Sequence, residues 1–251
     1  LALNKEDILT LQVEIENSRN ECYKCMMPSI SCLCKHINPL QTKTRFIILM
    51  HPKEYKKEKN GTGRITKLQL ENSEIIVGVD FTNNKRVNEL LAKENTSFLL
   101  YPGKDTFNLS TRKSSEINSF MGDNPYIFIL DGTWPCARKM LKMSTNLQKL
   151  KRMSFDNNIK SEFTIKQQPA SLCLSTIESV YTVLNLLKAA DFEQCETKGF
   201  LVPFQKMVAY QIKCMLNQDN KNYSSDTKTE VTPKNLYKKK TERNIVFEQE
   251  S

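Results

Sequence analysis

Glycine is scarce in this chain, with seven in 251 residues. The Gly-x-Gly-x-x-Gly turn that opens a dinucleotide-binding fold occurs nowhere, which argues against a Rossmann-type cofactor site. Long apolar runs are lacking as well. None approaches the roughly 20 residues needed to span a bilayer, and no signal-like stretch stands at the N-terminus, so a membrane is not expected as a partner. There are only two histidines and a single tryptophan. No internal repeat is found. Eight cysteines without a secretory segment favour the reducing cytoplasm over a disulfide scaffold.

What is there suits a globular enzyme-sized domain. A hydrophobic content of 39% over this length allows one well-buried α/β core with small appendages. The net charge of +9 fits either a polyanionic partner or a lysine-rich solvated surface. Clustering favours the first. Lys53, Lys56, Lys57, Lys59, Arg64 and Lys67 lie close together, as do Arg138, Lys139, Lys142, Lys149, Lys151 and Arg152.

The pattern along the chain is strand then helix, repeated. Residues 4–20 have helix-forming composition, with Ile8, Leu11 and Ile15 at helical spacing. Strands are expected at 46–50, 75–79, 98–101, 126–130 and 162–165, and helices at 65–70, 84–94, 176–189 and 203–216. Such alternation implies an α/β fold, a mostly parallel sheet with helices on both faces. Three regions follow: an N-terminal helix and cysteine knuckle over 1–40, an α/β domain over 41–217, and a polar, loosely ordered tail over 218–251.

Cys22-x-x-Cys25 and Cys32-x-Cys34 put four thiols within a short stretch. Two cysteine pairs on tight turns can supply the four tetrahedral ligands of a structural zinc. The alternative is a set of free or redox-active thiols, and His36 is available to replace one sulfur. A closed four-ligand site would be structural, with no open position for catalysis.

Four segments are candidates for chemistry. Tyr126-Ile127-Phe128-Ile129-Leu130-Asp131-Gly132-Thr133-Trp134-Pro135 is the most informative, since an apolar strand ends abruptly in a carboxylate, a glycine, a hydroxyl and the only tryptophan. In open α/β folds ligands bind beyond the carboxyl ends of strands. An N-cap and a first-turn proline would account for Thr133 and Pro135, but not for Asp131. His51-Pro52 follows a strand and precedes Gly61-Thr62-Gly63-Arg64; His51 is either a ligand or acid–base group or a satisfied structural one. Leu100-Tyr101-Pro102-Gly103 is a strand running into a turn. Finally, Gln168-Pro169 leads to Leu174-Ser175-Thr176-Ile177-Glu178. Ser175 and Glu178 have capping-box spacing, yet a helix N-terminus also suits an anionic group.

Taken together, His51-Pro52, Thr62-Gly63-Arg64, Gly78-Val79-Asp80-Phe81-Thr82, Leu100-Tyr101-Pro102, Asp131-Gly132-Thr133-Trp134 with Lys139-Met140, and Gln168-Pro169 with Leu174-Ser175-Thr176-Ile177-Glu178 resemble the DTW-domain family. They stand in the family's order over roughly 45–190, and Cys22, Cys25, Cys32 and Cys34 look like its N-terminal cysteine knuckle. Gly61 departs from the pattern, which places asparagine there.

The resemblance implies a tRNA-uridine aminocarboxypropyltransferase. Such an enzyme moves the 3-amino-3-carboxypropyl group of S-adenosylmethionine to N3 of a uridine and releases methylthioadenosine. It also implies a SPOUT-like fold with a trefoil knot. On this reading Asp131 is the first choice of base, Glu178 the second, and Trp134 stacks on adenine or uracil. Tyr101, Pro102, Leu130, Asp131, Thr133, Trp134, Leu174, Ser175 and Thr176 line the cofactor pocket. His51, Lys53, Lys56, Lys57, Arg64, Arg138, Lys139 and Arg152 contact tRNA, positioning its phosphates, and zinc is structural. The competing readings are a SPOUT-like RNA methyltransferase, a ribosomal RNA substrate, and a non-catalytic zinc-knuckle RNA-binding module. No protein partner is evident from the sequence, and the oligomeric state is open.

Overall fold

After its first residue, strand β1 (Arg45–Met50) is buried throughout, with Phe46, Ile47, Ile48 and Leu49 wholly enclosed. A strand sealed on both faces reads as a continuous apolar run because neither side meets water. In the computed structural model, residues 21–57, 61–92, 96–103, 105–157, 161–163 and 173–222 are described, with side chains through residue 215 apart from Lys57. The expected helix over 4–20, residues 168–172 and the chain beyond 222 lie outside the described residues.

β1 leads into α1 (Pro52–Lys57) and α2 (Thr62–Gln69), then β2 (Glu74–Val77), α3 (Lys85–Leu91), β3 (Ser97–Leu100), β4 (Phe107–Asn108) and α4 (Ser114–Met121). β5 (Tyr126–Asp131), α5 (Trp134–Met143), α6 (Thr145–Gln148), β6 (Lys151–Ser154), α7 (Thr176–Ala189) and α8 (Val202–Asn222) complete it. The six strands form one sheet in the order β2-β1-β5-β3-β6-β4, with every pairing parallel.

Side chains alternate across the sheet, as a pleated strand requires. Phe98, Ile127 and Ile129 join Ile65 of α2, Ile117 of α4, Ile177 and Val180 of α7, and Phe204 of α8 on one face. Leu49, Leu99 and Phe128 join Val87 and Leu90 of α3, Met140 of α5 and Leu147 of α6 on the other. Helices therefore cover both faces, as the alternating pattern implied.

Two strands differ from expectation. β6 carries Lys151, Arg152 and Ser154 around the single buried apolar residue Met153, and β4 is only two residues long. Neither shows an apolar run. The strand expected over 162–165 is absent from its described part: Glu162 and Phe163 lie outside the sheet, and 164–165 are outside the described residues. α8 continues to Asn222, beyond the point where the sequence turns polar, because apolar periodicity marks only the stretch of a helix that packs.

The cysteine knuckle is docked onto the sheet domain rather than hung from it. Cys25, Met27 and Leu33 are buried in the same cluster as α7 and α8. Gln69, fully enclosed at the end of α2, ties three segments together. Its Oε1 accepts from Asn38 N–H at 3.0 Å, its Nε2 donates to the Phe200 carbonyl at 2.7 Å, and its backbone carbonyl accepts from Leu40 N–H at 2.9 Å. Gln69→Leu keeps the volume but strands the buried Phe200 carbonyl and leaves the Asn38 N–H without its side-chain partner. Urea unfolding should show a loss of about 1–3 kcal/mol; an unchanged midpoint would remove Gln69 from this role.

Candidate active site

Three strands end at one cleft. Tyr101 and Pro102 follow β3; Leu130, Gly132 and Trp134 end β5 and begin α5; Met153, Ser154, Phe155 and Asn157 end β6 and follow it. Cys173, Leu174, Thr176 and Ser179 close the fourth side from the start of α7. The cleft holds about 290 Å³. Tyr101 and Trp134 meet edge to face, with ring centroids 5.9 Å apart at 64°. The Arg152 guanidinium lies over the Tyr101 ring, 5.8 Å from its centroid. A side chain at Gly103 would come within 3.0 Å of that guanidinium.

Asp131 is brought to the cleft but not onto its wall. The residue is 7% exposed, and its carboxylate sits behind Thr176, whose Oγ1 donates to Oδ1 at 2.5 Å. On its other side the carboxylate packs against the first turn of α2. A Cβ at Gly63 would lie 2.3 Å from Oδ2 and 2.8 Å from Cγ, so only glycine admits the acid here. The Asp131 carbonyl in turn accepts from His51 N–H at 2.9 Å.

The other expected pocket residues divide by position. Tyr101, Pro102, Leu130, Trp134, Leu174 and Thr176 line the cleft. Thr133 is the exposed N-cap of α5, its carbonyl accepting from Ala137 N–H, and it is not part of the wall. Ser175 is the buried N-cap of α7. Glu178, 5% exposed, is engaged in holding that turn. Its Oε2 accepts from Ser161 Oγ at 2.7 Å and from Ser175 N–H at 2.8 Å, and its Oε1 accepts from Glu162 N–H at 2.7 Å. The capping box is formed, and the carboxylate faces protein donors rather than the cleft.

His51 also differs from expectation. It is 8% exposed, its Nδ1 accepts from Lys53 N–H at 3.1 Å, and burial lowers its pKa, with the Lys53 charge adding to the effect. A neutral, enclosed imidazole is poorly placed to meet a phosphate. The cations around it are better presented. Lys53 and Lys56 on α1 and Arg138 and Lys139 on α5 are exposed, and Arg152 is half-buried at the cleft rim. Arg64 donates to the Tyr55 carbonyl and covers the Tyr55 ring, 4.8 Å from its centroid. The side chain of Lys57 is outside the described residues.

Sequence reasoning missed Tyr55, Phe155, Asn157 and Ser179. Tyr55 is half-exposed between Lys53 and Lys56, a basic stretch with an interleaved aromatic, which is a legible signal for nucleic acid. Phe155 and Asn157 follow β6, a strand with no apolar signature, so nothing marked them.

In the knuckle the four Sγ atoms all lie within 4.8 Å of one another, with Cys22 to Cys34 at 3.5 Å and Cys25 to Cys32 at 3.7 Å. A tetrahedral ion with bonds of about 2.3 Å implies sulfur separations of about 3.8 Å. The cluster can therefore hold a metal ion. Backbone N–H groups of Cys25 and Lys24 draw the Cys22 thiol down to about 6, while burial pushes Cys34 up to about 12. Met26 adopts a left-handed conformation, φ 59°, at the turn after Cys25.

The family model described as DTW domain matches residues 19–212, a span that takes in the knuckle and the whole cleft. Among curated proteins the chain is similar to tRNA-uridine aminocarboxypropyltransferase 2 of Mus musculus, 26% identical over 211 residues, covering 81% of this chain and 67% of that protein. The protein of the same name from Macaca fascicularis is 29% identical over 212 residues, with the same 81% and 67%. That from Drosophila melanogaster is 29% identical over 214 residues, 82% of this chain and 80% of the relative. No solved structure matches the chain.

The packing of Asp131 makes a sign prediction. Glycine-to-alanine inside a helix ordinarily stabilises by about 1 kcal/mol. Gly63→Ala should instead destabilise by about 1–3 kcal/mol, because the methyl group and the carboxylate need the same space. Thermal unfolding of the purified chain checks it, and a stabilised variant would show the site to be roomier than described.

Proposed function

This chain belongs to the DTW-domain family, and from that premise we propose that it transfers the 3-amino-3-carboxypropyl group of S-adenosylmethionine to N3 of a uridine in tRNA, releasing methylthioadenosine. The observation that carries the reading is the convergence of three of the family's sequence motifs, Leu100-Tyr101-Pro102, Gly132 with Trp134, and Leu174 with Thr176, on one cleft at the carboxyl ends of β3, β5 and β6. The curated relatives bear the name of that activity.

The donor supplies an electrophilic carbon beside a sulfonium; the protein supplies orientation, shelter and a place for a proton. Leu130, Leu174, Tyr101 and Trp134 offer an apolar and aromatic wall for the adenosine portion, in a cleft at the lower end of the usual volume range for ligand sites. Trp134 or Tyr101 would stack on a base, an interaction that contributes about 1–3 kcal/mol. Asp131 is the eventual proton acceptor, since uridine N3 attacks only as its proton leaves. Glu178 and His51 are assigned to structure. Lys53, Lys56, Arg64, Arg138, Lys139 and Arg152 hold phosphates at the rim, and the target base must leave its stack to enter. The fold in this reading includes the family's trefoil knot, and the knuckle's metal is zinc in a structural role. None of the eight cysteines forms a disulfide, which supports a cytoplasmic setting. No helix among the described residues is long and apolar enough to cross a membrane.

Nucleoside mass spectrometry after incubating tRNA with the chain and S-adenosylmethionine tests the reaction. Aminocarboxypropyl-uridine should accumulate in step with methylthioadenosine. S-adenosylhomocysteine as the by-product would reassign the chain to methyl transfer, and a chain that binds tRNA with no affinity for the donor would be a binding module. The metal has its own test. Elemental analysis should find a single zinc per chain, and Cys25→Ser or a strong chelator should lower the unfolding temperature; a metal-free chain of equal stability would refute the assignment.

A further inference from the structure

The acid that ends β5 does not reach the cleft; the hydroxyl in front of it does. Asp131 is enclosed by Gly63 on one side and Thr176 on the other, and it is not among the cleft-lining residues, whereas Thr176 is. The Thr176 hydrogen is committed to Asp131 Oδ1 at 2.5 Å. A hydroxyl so committed turns only its oxygen lone pairs to any other partner. It is held there by position, since Thr176 opens α7 and its neighbour Ser175 is locked by the Glu178 capping box. The carboxylate behind it is held equally firmly, by the end of β5 and by the Gly63 contact.

Resting on the aminocarboxypropyl reading, we propose that Thr176 is the catalytic residue that accepts the uracil N3–H, and that Asp131 is a positioning residue that acts through it. As the N3–H proton passes to Thr176 Oγ1, the hydroxyl proton passes to Asp131 Oδ1. The N3 electron pair forms the new bond to the donor's γ-carbon, and the carbon–sulfur pair leaves with methylthioadenosine. A sulfonium cation and a carboxylate anion enter the step; a neutral thioether and a neutral acid leave it. The same geometry sets base specificity. Uracil presents a ring N–H to the Thr176 lone pairs, whereas cytosine presents a bare ring nitrogen, two acceptors face to face. A site built to accept a hydrogen bond rejects a partner that cannot donate one.

The test uses the full chain with Thr176→Val, Thr176→Ser and Asp131→Asn. Donor binding is followed through the fluorescence of Trp134, the only tryptophan and a cleft residue. Transfer to tRNA is followed in single turnovers across pH. Thr176→Val should bind donor within about threefold of the unchanged chain and lose about 100-fold or more in rate, with Thr176→Ser recovering most of it. The rate of the unchanged chain should fall on the acid side as Asp131 is protonated. In Thr176→Val and Asp131→Asn the plateau above that limb should vanish, the residual rate rising about tenfold per pH unit throughout with solvent hydroxide as the only base. A fast Thr176→Val, a Thr176→Ser as slow as the valine variant, a plateau retained in either base-side variant, or a donor affinity lost with the hydroxyl would each overturn the relay. A chain that binds donor and tRNA but transfers nothing overturns the underlying reading and the relay with it. One that transfers regardless of residue 176 overturns the relay alone.

Discussion

The contact on which the rest of the site depends is the Asp131 carboxylate wedged between Gly63 and Thr176. It joins the end of a central strand to the first turns of two helices that reach it from distant parts of the chain. The arrangement holds α2 and α7 at one distance from β5, and the space left in front of α7 is the cleft. Glycine at 63 is a packing requirement here rather than a turn requirement.

The sheet explains why the cleft lies where it does. In the order β2-β1-β5-β3-β6-β4, strands β5, β3 and β6 are neighbours and all parallel. Parallel strands deliver their following loops to the same edge, and the loops after these three line the cleft. The opposite edge is electrically quieter. There Glu74 accepts from Arg86 and Arg45, and the Arg86 guanidinium holds its carboxyl below the usual range. At the cleft edge, no salt bridge among the described residues ties Lys53, Lys56, Arg138 or Lys139. Charge is neutralised where the sheet begins and presented where the loops gather, a distribution that suits a phosphate backbone.

Much of this was legible in advance, and the gaps have physical causes. Strands β1, β3 and β5 are apolar runs sealed on both faces, and helices α3 and α7 have sharp starts, Asn84 accepting from Val87 N–H and Ser175 forming a capping box. Elements of that kind declare themselves. β6 does not, since one buried methionine among charged residues makes no pattern. The residues after it were hidden for the same reason. His51 and Glu178 show the converse failure. Both are polar groups at an element's end beside the site, and nothing in a sequence says whether such a group faces a cleft or a protein donor.

Local chemistry alone determined the class of fold, the four-cysteine knuckle and the strand-end motifs, because hydrophobic period, thiol spacing and turn residues act over a few positions. Tertiary structure decided that Gly63, Asp131 and Thr176 form one unit, and that a hydroxyl rather than the acid meets the cleft. Those residues are separated by long stretches of chain, and contact between them exists only once the parallel sheet has brought their elements to a common edge.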